Sequence, residues 1–141
     1  MSESALGGER LELALELYDT MVRIRRFEER VGELFAVGDL PGFVHLSIGQ
    51  ESVAAGIVSA LRDDDFITST HRGHGHILAK GARIAPMMAE LFGRTTGYCK
   101  GKGGSMHIVD IALGVLGANG ILGAGQPIAV GAAMSARLRG T

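Results

Sequence analysis

Apolar residues recur every three or four positions at Leu13, Leu17, Met21, Ile24, Phe27, Val31 and Leu34. This period predicts one long amphipathic helix over residues 9–37, with Gly38 just past its end as a C′ residue. Charged residues from Arg23 to Glu33 take the other faces. Some of their four-apart pairs attract (Arg25–Glu29) and others repel (Arg26–Arg30). The arginines therefore read as a solvated or interface face, not as catalysis. Residues 39–46 form a loop with a Pro-Gly turn. Ser47 to Gln50 has capping-box spacing and opens a second helix over about 49–61, with Val53, Ile57, Val58 and Leu61 inward. Arg62–Asp65 is a polar turn and Phe66–Ser69 a short strand. Helices follow at Ile77–Lys80, stopped by Gly81, and at Met87–Phe92, opened by Pro86 and closed by Gly93. After a glycine-rich stretch, Pro127 opens a last helix through about Leu138. Its stripe of small residues, among them Ala129, Ala132 and Ala136, suits close packing on a neighbour. The last elements have no visible partner in the sequence.

A chain of 141 residues is one domain at most, and 46% hydrophobic residues with 21% charged suffice for a core. The net charge of −1, without a long run of one sign, argues against a general nucleic-acid or membrane-surface binder. Cys99 is the single cysteine, so an internal disulfide is excluded and a reducing cytoplasm fits. The first residues carry neither a secretory nor a transit signal, and residues 1–8 are expected to be disordered. No run of 18 apolar residues exists to span a bilayer. The mean hydropathy of +0.22 suits a chain that buries surface against a partner.

Eleven of the 22 glycines lie between Gly93 and Gly131. Glycine adds nothing to a core and costs backbone entropy, so such density needs a reason. Successive N–H groups curling around an anion are one reason, and Lys100, Lys102, Ser105 and His107 add charge and polarity. The run reads as a polar ligand wall. A flexible loop is the alternative, opposed by the interleaved Met106, Ile108, Val109 and Ile111. It is not a P-loop or a dinucleotide fingerprint, because the spacing fails both. His71, Arg72, His74 and His76 crowd six residues directly after the strand, where α/β folds place ligands. Arg72 suits a phosphate or carboxylate. His45, just before a helix start, can point at an anion or simply be a loop histidine. A zinc site from His71, His74 and His76 lacks an evident fourth ligand, and no metal ligand is assigned.

The segments GFVHLSIGQE, ITSTHRGHGH, KGKGGSMHI and GANGILGAGQP, in that order, closely resemble the alpha subunit of the thiamine-diphosphate-dependent dehydrogenase component of 2-oxo acid dehydrogenase complexes. The pyruvate and acetoin branches look most similar, and the likeness covers about residues 14–139. It implies an α/β thiamine-diphosphate-binding fold, a mostly parallel sheet flanked by helices, here incomplete and helix-rich, with residues 1–141 as the N-terminal part of one such domain. It implies an alpha–beta heterotetramer and a lipoyl-bearing acyltransferase as partners. The reaction implied is oxidoreduction at an oxo group: cleavage of a 2-oxo acid or acetoin, with reductive acylation of the lipoyl disulfide. By the same resemblance His45 is the active-site histidine of the Gly-Phe-x-His-Leu stretch and Arg72 the arginine on the cofactor diphosphate. His71 stands where pyruvate-type members often have tyrosine, which leans towards the acetoin branch. His45 and His71 would stabilise charge or move protons. Gly120 and Leu122 match backbone positions lining the thiazolium and pyrimidine. The pyrimidine-activating glutamate is expected on the beta subunit, not at Glu51.

The family's Gly-Asp-Gly…Asn segment for Mg²⁺ and diphosphate does not occur here, so the Mg²⁺ ligands are expected beyond Thr141 and the chain alone is expected to be inactive. The stretch between His107 and Asn119 is about two residues longer than in pyruvate-type sequences, which leaves contacts at Asp110–Gly114 open. The rival of another class is a non-catalytic phosphate-binding or assembly module.

Overall fold

A computed structural model describes residues 3–141, with side chains from residue 7. The elements are α1 (Glu3–Ala36), α2 (Glu51–Ser59), β1 (Ile67–Thr70), α3 (His74–Ala79), α4 (Ile84–Leu91), β2 (Val115–Asn119) and α5 (Gly125–Arg139), with short 3-10 turns at Gly104–Met106 and Ile111–Leu113. Residues 3–8, expected to be disordered, lie inside α1; residues 1 and 2 fall outside the described part. Gly38 has φ 82°, and the amides of Gly38 and Asp39 return to Phe35 and Leu34 carbonyls, closing α1 as predicted.

The periodic stripe of α1 is buried only in its second half. Ile24, Phe27 and Val31 are 3% exposed or less, whereas Leu13 is 47% exposed; α2 and α3 are the helices that pack on α1. Arg26–Glu29 and Arg30–Glu33 pair across exposed turns and contribute little. Two other arginines reach across the fold: Arg23 donates to the Ala82 carbonyl at 2.6 Å and Arg25 to Glu51 at 2.6 Å.

The second helix is shorter than predicted, and its capping box does not form. Gln50 is the N-cap and makes no side-chain cap bond. The Ser47 hydroxyl goes instead to Glu28 at 2.7 Å, and Glu51 accepts the Gly49 amide at 3.0 Å. The inward face is also different. Ala54 and Ala55 are buried, while Val53 and Ile57 are 52% and 60% exposed. Small residues let α2 lie close to α1 and α3, while Val53 and Ile57 point away and Val58 and Leu61, also expected inward, are half-buried.

β1 and β2 pair in parallel, with Thr68 opposite Gly117 and Thr70 opposite Asn119. Parallel pairing requires a long crossover, supplied here by α3, α4 and the glycine-rich segment. Val115 and Ala118 join the core formed by Ile24, Ile77, Met87 and Ile108. α5 leans on β1, where the Thr68 hydroxyl donates to the Gly125 carbonyl at 3.2 Å. No α5 side chain is fully buried, and Met134 and Leu138 are 61% and 85% exposed. No helix among the described residues is long and apolar enough to cross a membrane.

Candidate functional site

Because Thr70 and Asn119 are partners in register, both strands finish at the same sheet end. His71 and Arg72 leave β1 there, and Gly120, Ile121 and Leu122 leave β2 beside them. The carboxyl end of a parallel sheet is where backbone turns open to a ligand. Gly117 to Asn119, within the glycine-rich stretch, belong to β2. The turn proper begins at Gly120 and is set by the Asn119 side chain, which accepts the Ile121 amide at 2.8 Å. A Cβ at Gly120 would sit 3.6 Å from Met106 Sδ and His107 Cε1. Ile121 and Leu122 are 73% and 71% exposed.

His45 and His71, 26 residues apart in sequence, come together. Their rings meet edge to face with centroids 5.3 Å apart. Nδ1 of each ring is buried and has no hydrogen-bond partner among the described residues. Buried polar atoms are nearly always paired, so these two unpartnered ring nitrogens mark the pair as a candidate binding position. Arg72 donates from one guanidinium nitrogen to the Leu46 carbonyl, which pins the loop carrying His45 and leaves its other donors available. No hydrogen bond among the described residues links these three side chains to the Gly120–Leu122 turn.

His74 and His76 serve other partners, and α3 starts earlier than predicted, at His74. His76 Nδ1 lies 2.7 Å from Ser69 Oγ, and burial holds its imidazole below the ordinary pKa. His74 is fully buried, edge-on to Phe27, with Nδ1 3.2 Å from both Glu28 oxygens and Nε2 3.1 Å from Ser105 Oγ. His71, His74 and His76 thus do not converge, and among the described residues no group of three or more His, Cys, Asp or Glu side chains is placed to hold a metal ion.

The glycine-rich segment does curl its amides around an anion, and that anion is the chain's own Glu90. This carboxylate is fully buried and accepts the amides of Cys99 (2.7 Å), Gly101 (2.9 Å), Gly103 (2.7 Å) and Gly104 (3.3 Å). Gly101 has φ 77°, and a Cβ there would fall on the Gly93 backbone and lie 2.8 Å from the Arg94 nitrogen. The first half of the run is therefore a closed internal cradle, not a wall facing a ligand. Burial raises the neighbouring Cys99 thiol above its ordinary pKa.

Comparison with known proteins bears on what this sheet end serves. A sequence model of the dehydrogenase E1 component matches residues 19–141. The chain belongs to the dehydrogenase E1 component family. It is similar to the acetoin:2,6-dichlorophenolindophenol oxidoreductase alpha subunits of Bacillus subtilis (58% identical over 130 residues) and Cupriavidus necator (54% over 129 residues). Each alignment covers 92% of this chain and 39% of the relative. It is also similar to the pyruvate dehydrogenase E1 component alpha subunit of Zymomonas mobilis, 47% identical over 129 residues, covering 91% of this chain and 36% of that protein. This E1 chain thus spans well under half the length of the curated relatives it matches, and within that span its helix-rich α/β architecture carries a small parallel sheet.

Sequence reasoning missed Glu28 and Glu90. Both stand on apolar stripes, Glu28 between Phe27 and Val31 and Glu90 between Met87 and Leu91. An acid on a stripe meant for burial implies dedicated donors, and that signal was present in the pattern.

Proposed function

We propose that the chain is part of the alpha subunit of a thiamine-diphosphate-dependent dehydrogenase of the acetoin or pyruvate type. It would work in the cytoplasm with a beta subunit, as a heterotetramer, and pass its acyl product to a lipoyl-bearing acyltransferase. The observation that carries this reading is the His45–His71 pair, with two orphaned buried Nδ1 atoms at the carboxyl end of a parallel sheet, in a chain of the E1 family. His71 in a position often held by tyrosine favours acetoin as the substrate.

The residues present fit the cofactor. Arg72 has guanidinium donors left for a diphosphate. The exposed turn at Gly120–Leu122 offers backbone groups and apolar side chains to the two rings. When bound, thiamine diphosphate supplies the electron sink for breaking a carbon–carbon bond beside a carbonyl. His45 and His71 would donate a hydrogen bond to the substrate oxygen and move its proton, which imidazole does well near neutral pH. Mg²⁺ would be held by ligands outside these residues. The rival phosphate-binding module is weakened by Glu90, which already occupies four amides of the glycine-rich segment.

The test is calorimetry and turnover on the complete subunit assembled with its beta partner. Thiamine diphosphate with Mg²⁺ is expected to bind. His45→Ala and His71→Ala should keep binding and lose about 10²- to 10⁴-fold in turnover, the usual share of a general acid–base group. Absence of cofactor binding by the wild-type assembly would refute the reading. The 141-residue chain by itself should bind weakly or not at all, and micromolar binding would show that the metal ligands are misplaced.

A further inference from the structure

The loop that presents His45 has almost no backbone support of its own. Among the described residues no backbone–backbone hydrogen bond involves residues 40–46. Side chains from three distant places fix it. Ser105 Oγ accepts the His45 amide at 3.1 Å, Arg72 takes the Leu46 carbonyl, and Glu28 accepts the Ser47 hydroxyl at 2.7 Å.

Two of these three tethers are ends of one buried chain. Ser105 and Glu28 are joined through His74, whose Nε2 faces Ser105 Oγ at 3.1 Å and whose Nδ1 faces Glu28 at 3.2 Å. Ser47, Glu28, His74 and Ser105 are each 4% exposed or less. Facing a carboxylate, His74 Nδ1 carries its proton toward Glu28, which also takes the Ser47 proton. Ser105 Oγ has two acceptor sites and one proton; it takes the His45 amide and, opposite a neutral Nε2, gives its own proton to His74. Hydroxyl, imidazole and carboxylate in this order resemble a nucleophilic triad. Here the hydroxyl is buried and already accepts an amide, so it has no access to a substrate carbonyl.

We propose that Ser105, His74 and Glu28 form a positioning unit that fixes the backbone at His45 and so sets the His45 ring against His71. None of the three touches the reacting atoms in this assignment. They act through His45, and a lost link in the core appears as a displaced histidine at the site. The catalytic part of this inference rests on the function proposed above; the structural part does not.

Two measurements on the complete subunit with its beta partner separate them. Exchange of the His45 amide, which donates to Ser105 Oγ, should accelerate about tenfold in Ser105→Ala, the equivalent of one lost buried hydrogen bond. His74→Asn keeps a donor toward Glu28, removes the acceptor of the Ser105 proton, and should accelerate exchange in the same way. Turnover by Ser105→Ala should fall about ten- to a hundredfold at unchanged cofactor affinity, as when a reacting group moves by about an ångström, and Ser105→Thr should recover part of it. Ile77→Val, a core change outside the unit, should lower thermal stability and move neither exchange nor turnover. Unchanged exchange in both Ser105→Ala and His74→Asn overturns the proposal, as does an equal turnover loss in Ile77→Val. Absence of wild-type turnover would instead strike the proposed function and leave the exchange result standing.

Discussion

Replacing Glu90 tests the internal cradle directly. Its two oxygens take two amides each: Cys99 and Gly101 on Oε2, Gly103 and Gly104 on Oε1. Three of the four bonds are 2.9 Å or shorter, and the carboxylate is fully buried. A donor left unpaired inside a protein costs about 1–3 kcal/mol. The amides are only partly buried, so water recovers some of that in Glu90→Ala, and a net loss of about 3–5 kcal/mol is expected. Glu90→Gln keeps the shape but turns one oxygen into an NH₂ facing two N–H donors, so about 2–3 kcal/mol is expected even though one pair of bonds survives. For a chain of this size, Glu90→Gln should lower Tm by roughly 6–12 °C. Thermal and urea unfolding followed by circular dichroism measure both variants. A Glu90→Gln stability within about 0.5 kcal/mol of wild type, the ordinary scatter of surface changes, would show that the segment holds its shape without the carboxylate.

Gly101→Ala and Gly104→Ala form a second contrast. Both glycines have positive φ, 77° and 58°, but only Gly101 has backbone where a Cβ would go. Gly104→Ala should cost about 1–2 kcal/mol for the left-handed conformation alone, and Gly101→Ala distinctly more; equal losses by denaturant titration would refute the steric reading. Glu51 provides a pH test. The Arg25 hydrogen bond lowers its pKa from 4.5 to about 2, so its contribution is full above about pH 4.5 and is lost as pH falls towards 2. The stability gap between wild type and Arg25→Ala should therefore narrow over that window, and a gap constant with pH would show that the pair is not felt. Cys99, with its raised pKa, should react with a disulfide reagent at pH 8 more slowly than a free thiol, and an equal rate would contradict its burial.

Elements with a clean period were legible: α1, α2, β1 and α5 all occur close to where the pattern puts them. What failed has specific causes. The early start of α3 was hidden because Gly73 and Gly75 read as loop residues. They are close-packing positions, where a Cβ at Gly73 would meet Ser69 Oγ at 2.9 Å and one at Gly75 would meet Ser47 Oγ at 3.2 Å. The face of α2 was misassigned because an apolar stripe marks a surface to be covered without saying by what. The ligand reading of the glycine run identified the right physics and the wrong anion, since the acid that fills it lies just upstream on a helix. His45, His71 and Arg72 were singled out as candidates by residue type and position. The Glu28–His74–Ser105 link was not, because its members are 46 and 31 residues apart and no local pattern reports such a pairing.

The dependence of the His45 loop on remote side chains also sets an order of events during folding. His45 waits for Ser105, 60 residues further along, and Leu46 for Arg72, 26 residues along. A chain growing from its N-terminus meets the α1 anchors of this loop early, at Leu40 and Ser47, and those for His45 and Leu46 only later. Long-range closures of this kind are the slow ones. The backbone at His45 and Leu46 is therefore fixed only once residues 72 and 105 are in place.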